Sequence, residues 1–400
     1  MKGWIKSIRQ SKSLTFVAFT DGTSKDHQLT IKEGECEIDG ELKVGASFEA
    51  EGKESKTPRG FDEFVGSKVK IIGSSDDDFP IQPKAHGFDF LRTIPEHRGR
   101  TKTFRAMWRI RHQLTQAVHH FFDEEGFVQY YTPIITPADC EGAGETFRVK
   151  SDWLEESLTV SGQLHGEVGM MSLGKIYTFS PTFRAEKSTT RKHLSEFWMI
   201  EPEVAFCSYD EIISLSTKLI RYCLKYVLEK CEKEFQDLEI DTAHIQKVLS
   251  ESVWHRLYYK DIVQDYGLKF GEDISSELEK KIVEDCGGPV YITWYPSSLK
   301  PFYMKRKMSH IEKECALCFD LLFPEVGELV GGSIREESYD ILKKQMEDGG
   351  LDMQKMDWYL QTRKWGSVPH AGFGMGFERL LMFITKAPKV HDVIPFPVSF

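Results

Sequence analysis

An arginine and a glutamate two residues apart, Arg184 and Glu186, stand at the end of an apolar segment, YTFSPTFRAE (177–186). On a strand, that spacing puts both side chains on one face. A polar, basic loop over 187–192 and His193 follow, and an apolar strand resumes at Phe197 before Glu201-Pro202-Glu203. These residue types suit a nucleotide. A guanidinium offers a fixed fork to phosphate oxygens. A carboxylate accepts from an exocyclic amine, and an aromatic ring such as Phe197 stacks on a base. Taken alone, the stretch also fits a surface hairpin carrying an ion pair. A second stretch, HAGFGMGFERLLMF (370–383), places glycines at 372, 374 and 376 before an apolar helical run with Arg379 near its start. Glycines allow close backbone approach, and a helix start with an added arginine favours anions. The stretch lacks the GKS or GKT ending of a P-loop and the βαβ context of a dinucleotide fingerprint.

The elements that must position these groups are partly legible. Residues 104–122 carry Ile110, Leu114, Val118 and Phe122 at helical spacing, Gly126 ends the run, and 127–132 leads to Pro133 as a strand. With this helix and strand in place, the chain resembles the class II aminoacyl-tRNA synthetases. The segment 104–133 is similar to their motif 1, FRAE…HLSEFWMIEPE to motif 2 and GFGMGFERL to motif 3. DCEGAGETF (139–147), LTVSGQL (158–164) and GELVGGSIRE (327–336) resemble the asparaginyl branch of the aspartyl/asparaginyl subgroup. Aspartyl members usually have a lysine three residues after the glutamine of the second segment, where this chain has Gly166.

The resemblance implies ATP-dependent ligation of asparagine to tRNA(Asn) through an aminoacyl-adenylate, with ATP and Mg²⁺ as cofactors and a homodimer through motif 1. Arg184 is implied to clamp the α-phosphate and the substrate carboxylate, Glu186 to accept from the adenine amine and Phe197 to stack on adenine. Arg379 is implied to reach the γ-phosphate, with His193 assisting, and Asp320 and Glu328 to hold Mg²⁺, a cation that prefers hard oxygen ligands. For asparagine, Glu141 is expected to hold the α-ammonium, Gln163 to meet the backbone end and Arg335 to donate to the side-chain carbonyl. An arginine alone also welcomes aspartate, so rejection needs an acceptor or a repelling carboxylate. Glu167 is the candidate, and a carboxylate set back from the substrate is an equally good reading of it.

Bulk properties agree. Four hundred residues allow two or three domains and a large core. A formal charge of −10 argues against a general nucleic-acid binder and leaves room for a local basic face. No apolar run reaches membrane-span length and the N-terminus has no apolar signal core, so a cytoplasmic protein is expected. Cys315 and Cys318 form a lone CxxC pair without a second pair to complete a zinc site, and buried thiols are expected.

The expected fold class is α+β. Residues 1–75 show short alternating segments with Gly, Asp and Ser between them, a small β-barrel or sandwich by pattern. Beside such a catalytic domain the resemblance implies an OB-fold that reads the anticodon. A linker is expected over 76–95, and a catalytic domain over 96–400, with an antiparallel sheet flanked by helices and a helical insertion around 230–287. Alternation alone makes Phe16 a core residue, whereas the resemblance makes Phe16 a stacking platform and Gln28 a reader of base edges. Several departures from the family stand out. Lys192 precedes His193 where relatives often have arginine, and His391 and Val398 replace two usual arginines. The chain also begins directly on its first barrel strand, which leads us to expect reduced anticodon affinity or barrel stability. These departures keep open a paralog that uses the adenylate to make asparagine from aspartate, or a non-catalytic RNA-binding relative. The OB-like region argues against the first, and the full ATP set against the second.

Overall fold

A computed structural model describes residues 1–23, 25–57, 59–137, 146–153, 155–186, 191–309 and 311–398. The chain divides into two compact units, Met1–Trp108 with Gln236–Leu238, and Arg109–Phe235 with Glu239–Phe400.

The first unit is built on β1 (Lys2–Ser11), β2 (Leu14–Thr20), β3 (Asp26–Lys32), β4 (Glu37–Asp39), β5 (Ser47–Lys56) and β6 (Asp62–Gly73). The strands pair in the order β3-β2-β1-β5-β6, and β3 pairs again with β6, so the pairing returns on itself. Alternation on β2 sends Val17 and Phe19 into a core with Ile5, Leu29, Ile31, Phe48 and Val69. Phe16, just before Val17 and out of phase with it, is only half-buried and faces outward, with the Arg9 guanidinium 5.2 Å from its ring centroid. The core placement suggested by alternation therefore fails for Phe16, because Val17 and Phe19 already define the inner face. The 76–95 stretch is more than a linker: it contains the helix Phe88–Arg92 and belongs to this unit.

The second unit is organised by eight strands: β7 (Val128–Gln129), β8 (Lys175–Phe183), β9 (Glu196–Ala205), β10 (His255–Tyr258), β11 (Val290–Thr293), β12 (Cys318–Phe323), β13 (Gly327–Ile334) and β14 (His370–Gly376). Their order is β10-β11-β12-β13-β14-β9-β8-β7. The central pairs are antiparallel, and only the two edge pairs, β10–β11 and β8–β7, are parallel. The 230–287 segment is therefore not purely helical. It supplies edge strand β10 as well as helices, and buries Ile245, Trp254, Tyr259, Ile262 and Ile282.

Helices flank the sheet: α1 (Lys102–Glu124), α2 (Gln163–Leu173), α3 (Tyr209–Lys230), α4 (Ser276–Cys286), α5 (Met353–Gln361) and α6 (Phe377–Thr385). Helix α1 buries Ile110, Leu114, Val118 and Phe122, one apolar stripe at helical spacing. A capping box between Ser208 and Glu211 starts α3. Helix α6 is buried on nearly all sides. Among the described residues no helix is long and apolar enough to cross a membrane.

Glu378, in the first turn of α6, ties these layers together. It accepts from Arg111 of α1 at 2.7 Å and from the Trp198 amide of β9 at 2.9 Å, while Arg111 also donates to the Val393 carbonyl at 2.9 Å. Glu378 is 2% exposed. Removing one partner of a buried pair leaves the other uncompensated. Glu378→Ala is expected to cost about 3 kcal/mol of unfolding free energy, read by denaturant titration. A loss within experimental error would contradict this role.

Candidate active site

The register of β8 and β9 sets the first half of the site. Thr182 faces Phe197 and Phe183 faces Glu196, and the Arg184 amide donates to the Ser195 carbonyl at 3.0 Å. Arg184 therefore emerges beside Phe197, its guanidinium 5.5 Å from the ring centroid and 4.0 Å from Glu186. Across β14 and the start of α6, Arg379 donates to the Glu328 carbonyl. These groups and His193 line a cavity of about 240 Å³. A Cβ at Gly374 would stand 2.6 Å from the Met199 methyl, so a side chain there would have to displace the end of Met199. Burial, then the Arg379 charge, push the His193 pKa down, which favours the neutral imidazole. The structure thus brings together Arg184, Glu186, His193, Phe197, Glu328 and Arg379.

Asp320 and Glu328 lie on adjacent strands and converge over Gly331. A Cβ there would meet Glu328 Oε1 at 3.1 Å and Asp320 Oδ1 at 3.6 Å. Lys300, which sequence reasoning missed, donates to Asp320 at 2.6 Å and sits 4.0 Å from the Tyr295 ring centroid. Burial raises the Asp320 pKa, and Lys300 opposes it. Among the described residues no cluster of three or more His, Cys, Asp or Glu could hold a metal alone. Two carboxylate oxygens nevertheless fit Mg²⁺, which commonly takes one or two carboxylates and fills its shell with phosphates and water. A third carboxylate, Glu279 of α4, comes close. Burial and then Glu328 push its pKa up to about 7, against Arg379 and Lys192.

The amino-acid candidates form a second, wholly buried group. Arg335 donates to Glu203 from Nε at 3.2 Å and Nη2 at 2.5 Å, and to Ser333 from Nη1 at 2.6 Å. Glu167, fully buried, accepts from Gln163 at 3.1 Å and Tyr359 at 2.8 Å, and also from Arg363. His370 Nε2 lies 3.1 Å from it and Arg335 Nε 3.9 Å. Glu167 is therefore enclosed by protein partners, and its carboxylate faces Arg363, Tyr359 and His370. Burial raises its pKa, but Arg363, His370 and Arg335 outweigh this and hold it well below the usual carboxylate range. Burial pushes Glu203 up to about 7, against Arg335 and with Glu167. Gly372 makes room for Glu203, because a Cβ there would stand 2.2 Å from its Oε1.

Glu141 lies outside the described residues. In the first unit, Gln28 reaches Glu63 at 3.4 Å, Thr30 donates to the same carboxylate at 2.5 Å, and Ala18 pairs with Gln28 as Phe16 pairs with Thr30. Phe16 and Gln28 thus share one outer face with Arg9 and Glu63, two residues sequence reasoning missed. Cys315 and Cys318 are buried, and burial pushes the Cys318 thiol up to about 12. At the C-terminal end, the Val398 carbonyl accepts from the Ser195 amide at 2.8 Å and the Val390 amide donates to the Arg191 carbonyl at 3.0 Å.

An antiparallel sheet with an arginine and an aromatic on one hairpin, facing a glycine-lined strand that runs into an arginine-bearing helix, defines a synthetase of the class II type. The family profile described as tRNA synthetases class II (D, K and N) matches residues 96–399, and the chain belongs to that family. It is 42% identical to a probable mitochondrial asparagine–tRNA ligase of Dictyostelium discoideum, over 99% of this chain and 92% of that protein. It is 39% identical to the asparagine–tRNA ligase of Geobacter sulfurreducens, over 99% and 94%. Its fold is similar to that of the Pyrococcus horikoshii asparaginyl-tRNA synthetase complexed with asparaginyl-adenylate. That match has a TM-score of 0.92 and 29% identity, covering 100% of this chain and 94% of the other.

The raised Glu203 pKa has a consequence for stability. The folded value of about 7 exceeds the ordinary 4.5, so the native state holds this proton more tightly than the unfolded chain. The resulting stabilisation is complete below 4.5 and lost as pH rises to about 7. Wild type is expected to lose stability relative to Glu203→Gln across that window, measured by denaturant unfolding at several pH values. A constant difference would contradict the assignment.

Proposed function

We propose that the chain is an asparagine–tRNA ligase, joining asparagine to tRNA(Asn) through an asparaginyl-adenylate. The observation that carries this reading is the adjacency, on β9, of two differently built groups. Arg184, Phe197 and Arg379 form a partly open, cationic and aromatic cavity. The Arg335–Glu203 pair forms a buried polar end suited to a small amide. Relatives of nearly the same length bear this activity in their names.

In the first step the asparagine carboxylate attacks the α-phosphorus of ATP, the bond to the bridging oxygen breaks and pyrophosphate leaves. In the second, a ribose hydroxyl of the terminal tRNA adenosine attacks the activated carbonyl and AMP leaves. Such chemistry rests on positioning and charge stabilisation. Phe197 supports adenine, Glu186 accepts from its amine and Arg184 orients the α-phosphate against the attacking carboxylate. Arg379 and His193 hold the distal phosphates. Asp320 and Glu328 would hold Mg²⁺, which when bound neutralises phosphate charge. Lys300 fixes the orientation of Asp320. Glu141 takes the α-ammonium, Gln163 the backbone end and Arg335 the side-chain carbonyl. Glu167 acts one layer back, since its oxygens meet protein donors.

The first unit is proposed to be an OB-fold that reads the anticodon. Its returning strand pairing and the outer face of Arg9, Phe16, Gln28 and Glu63 support this. A homodimer through motif 1 is supported by exposed Val128, Tyr131, Ile134 and Ile135 beside edge strand β7, since such patches mark interfaces.

Charging of total tRNA by the purified protein, with Mg-ATP and labelled asparagine or aspartate in parallel, tests the proposal. Charging with asparagine alone is the expected result, and charging with neither or with aspartate would overturn it. Arg184→Ala is expected to lower kcat/KM for adenylate formation at least about 100-fold, as loss of a charge-stabilising donor does elsewhere, with an unchanged melting temperature.

A further inference from the structure

The Arg335 guanidinium would attract an aspartate side chain at least as strongly as an asparagine carbonyl. Selection of the amide must therefore come from what surrounds that arginine. Four buried charges alternate in sign: Arg363, Glu167, Arg335, Glu203. Arg363 donates to Glu167, Glu167 lies 3.9 Å from Arg335 Nε, and Arg335 is held by both oxygens of Glu203. All four are at most 4% exposed. Arg363 also donates to the Glu336 carbonyl at 3.0 Å, Thr362 at 2.7 Å and Tyr359 at 2.8 Å, so its position is fixed. It follows the end of α5 and lies seven residues before His370, far along the chain from Glu167 on α2. His370 sits between, with Nδ1 donating to the Val368 carbonyl at 2.7 Å and Nε2 3.3 Å from Arg363. Helix α2 adds no further cation on this side, because Gly166 is what faces Glu203: a Cβ there would stand 3.6 Å from Glu203 Cγ.

We infer that the buried Arg363–Glu167 pair determines the choice of amide over carboxylate by fixing the net charge of the array that ends on Arg335 and Glu203. This rests on the asparagine–tRNA ligase reading above. Above the Glu203 pKa of about 7, each guanidinium in the array has its own carboxylate. A neutral asparagine side chain adds no charge to it, whereas aspartate adds a third negative charge in a site from which water is excluded, where unpaired charge is costly. Glu167 and Arg363 are positioning residues in this scheme, acting through Arg335 without touching substrate.

The test is adenylate formation at about pH 8, where Glu203 is ionised, followed by ATP–pyrophosphate exchange, with kcat/KM measured for asparagine and for aspartate. Glu167→Gln removes one negative charge without changing shape. The aspartate-to-asparagine ratio is expected to rise by about tenfold or more, with the KM for ATP unchanged. Arg363→Lys keeps the charge and loses the fork, and its ratio is expected to stay within about threefold of wild type. The double variant Glu167→Gln/Arg363→Met restores the balance and is expected to bring the ratio back toward wild type, which a purely structural role predicts against. If the double variant does not fold, the contrast between Glu167→Gln and Arg363→Lys decides. An unchanged ratio in a folded Glu167→Gln protein, or a rise in Arg363→Lys as large as in Glu167→Gln, overturns the inference. Failure of wild type to form any adenylate would instead remove the functional reading on which it rests.

Discussion

The bidentate contact between Arg335 and Glu203 is the constraint around which the rest of the second unit is arranged. A buried guanidinium and carboxylate lose their hydration, and their mutual attraction compensates only where geometry is good and remaining donors are satisfied. The protein meets that condition by adding Ser333, Glu167 and Arg363 around the pair. Backbone follows from it as well. Gly372 has to be a glycine because any side chain would collide with Glu203, so part of the glycine pattern in β14 reflects carboxylate packing, not phosphate approach.

The two halves of the site solve different electrostatic problems on one sheet. Around Arg184 and Arg379 the cations border a cavity and can be met by a triphosphate that brings its own negative charge. Around Arg335 the charges are already matched inside the protein, so an incoming group must be polar without being ionic. Strand β9 serves both, with Phe197 toward the first and Glu203 toward the second, six residues apart and on the same face by strand period. Glu378 secures this arrangement from behind by joining α1, α6 and the Trp198 amide.

Sequence reached the parts of this site whose chemistry is local. Arg184 and Glu186, or Gly372 to Arg379, carry their geometry in a short stretch, because strand period and helix start dictate where the side chains go. The helical stripe of α1 was legible for the same reason. What sequence did not reach depends on pairs far apart in the chain. Glu167 and Arg363 are separated by 196 positions and meet only because α2 and α5 pack against each other. Lys300 and Asp320 meet across a short 3₁₀ turn that carries no motif. Edge strand β10 was missed because its four residues, HRLY, are largely polar and lie among helices. Phe16 shows the reverse case, where alternation fixed the period but not which of its two faces is the inner one.

The buried charge array fits an uncharged amide. This fit is read by the equilibrium binding, in calorimetry, of stable analogues of asparaginyl-adenylate and aspartyl-adenylate to the wild-type protein. Both carry the same adenosine, so the ATP cavity contributes equally and only the side-chain end differs. The asparaginyl analogue is expected to bind at least about 100-fold more tightly, the range reached when a wrong ligand leaves buried polar groups unmatched. Equal affinities would show that the array does not distinguish amide from carboxylate.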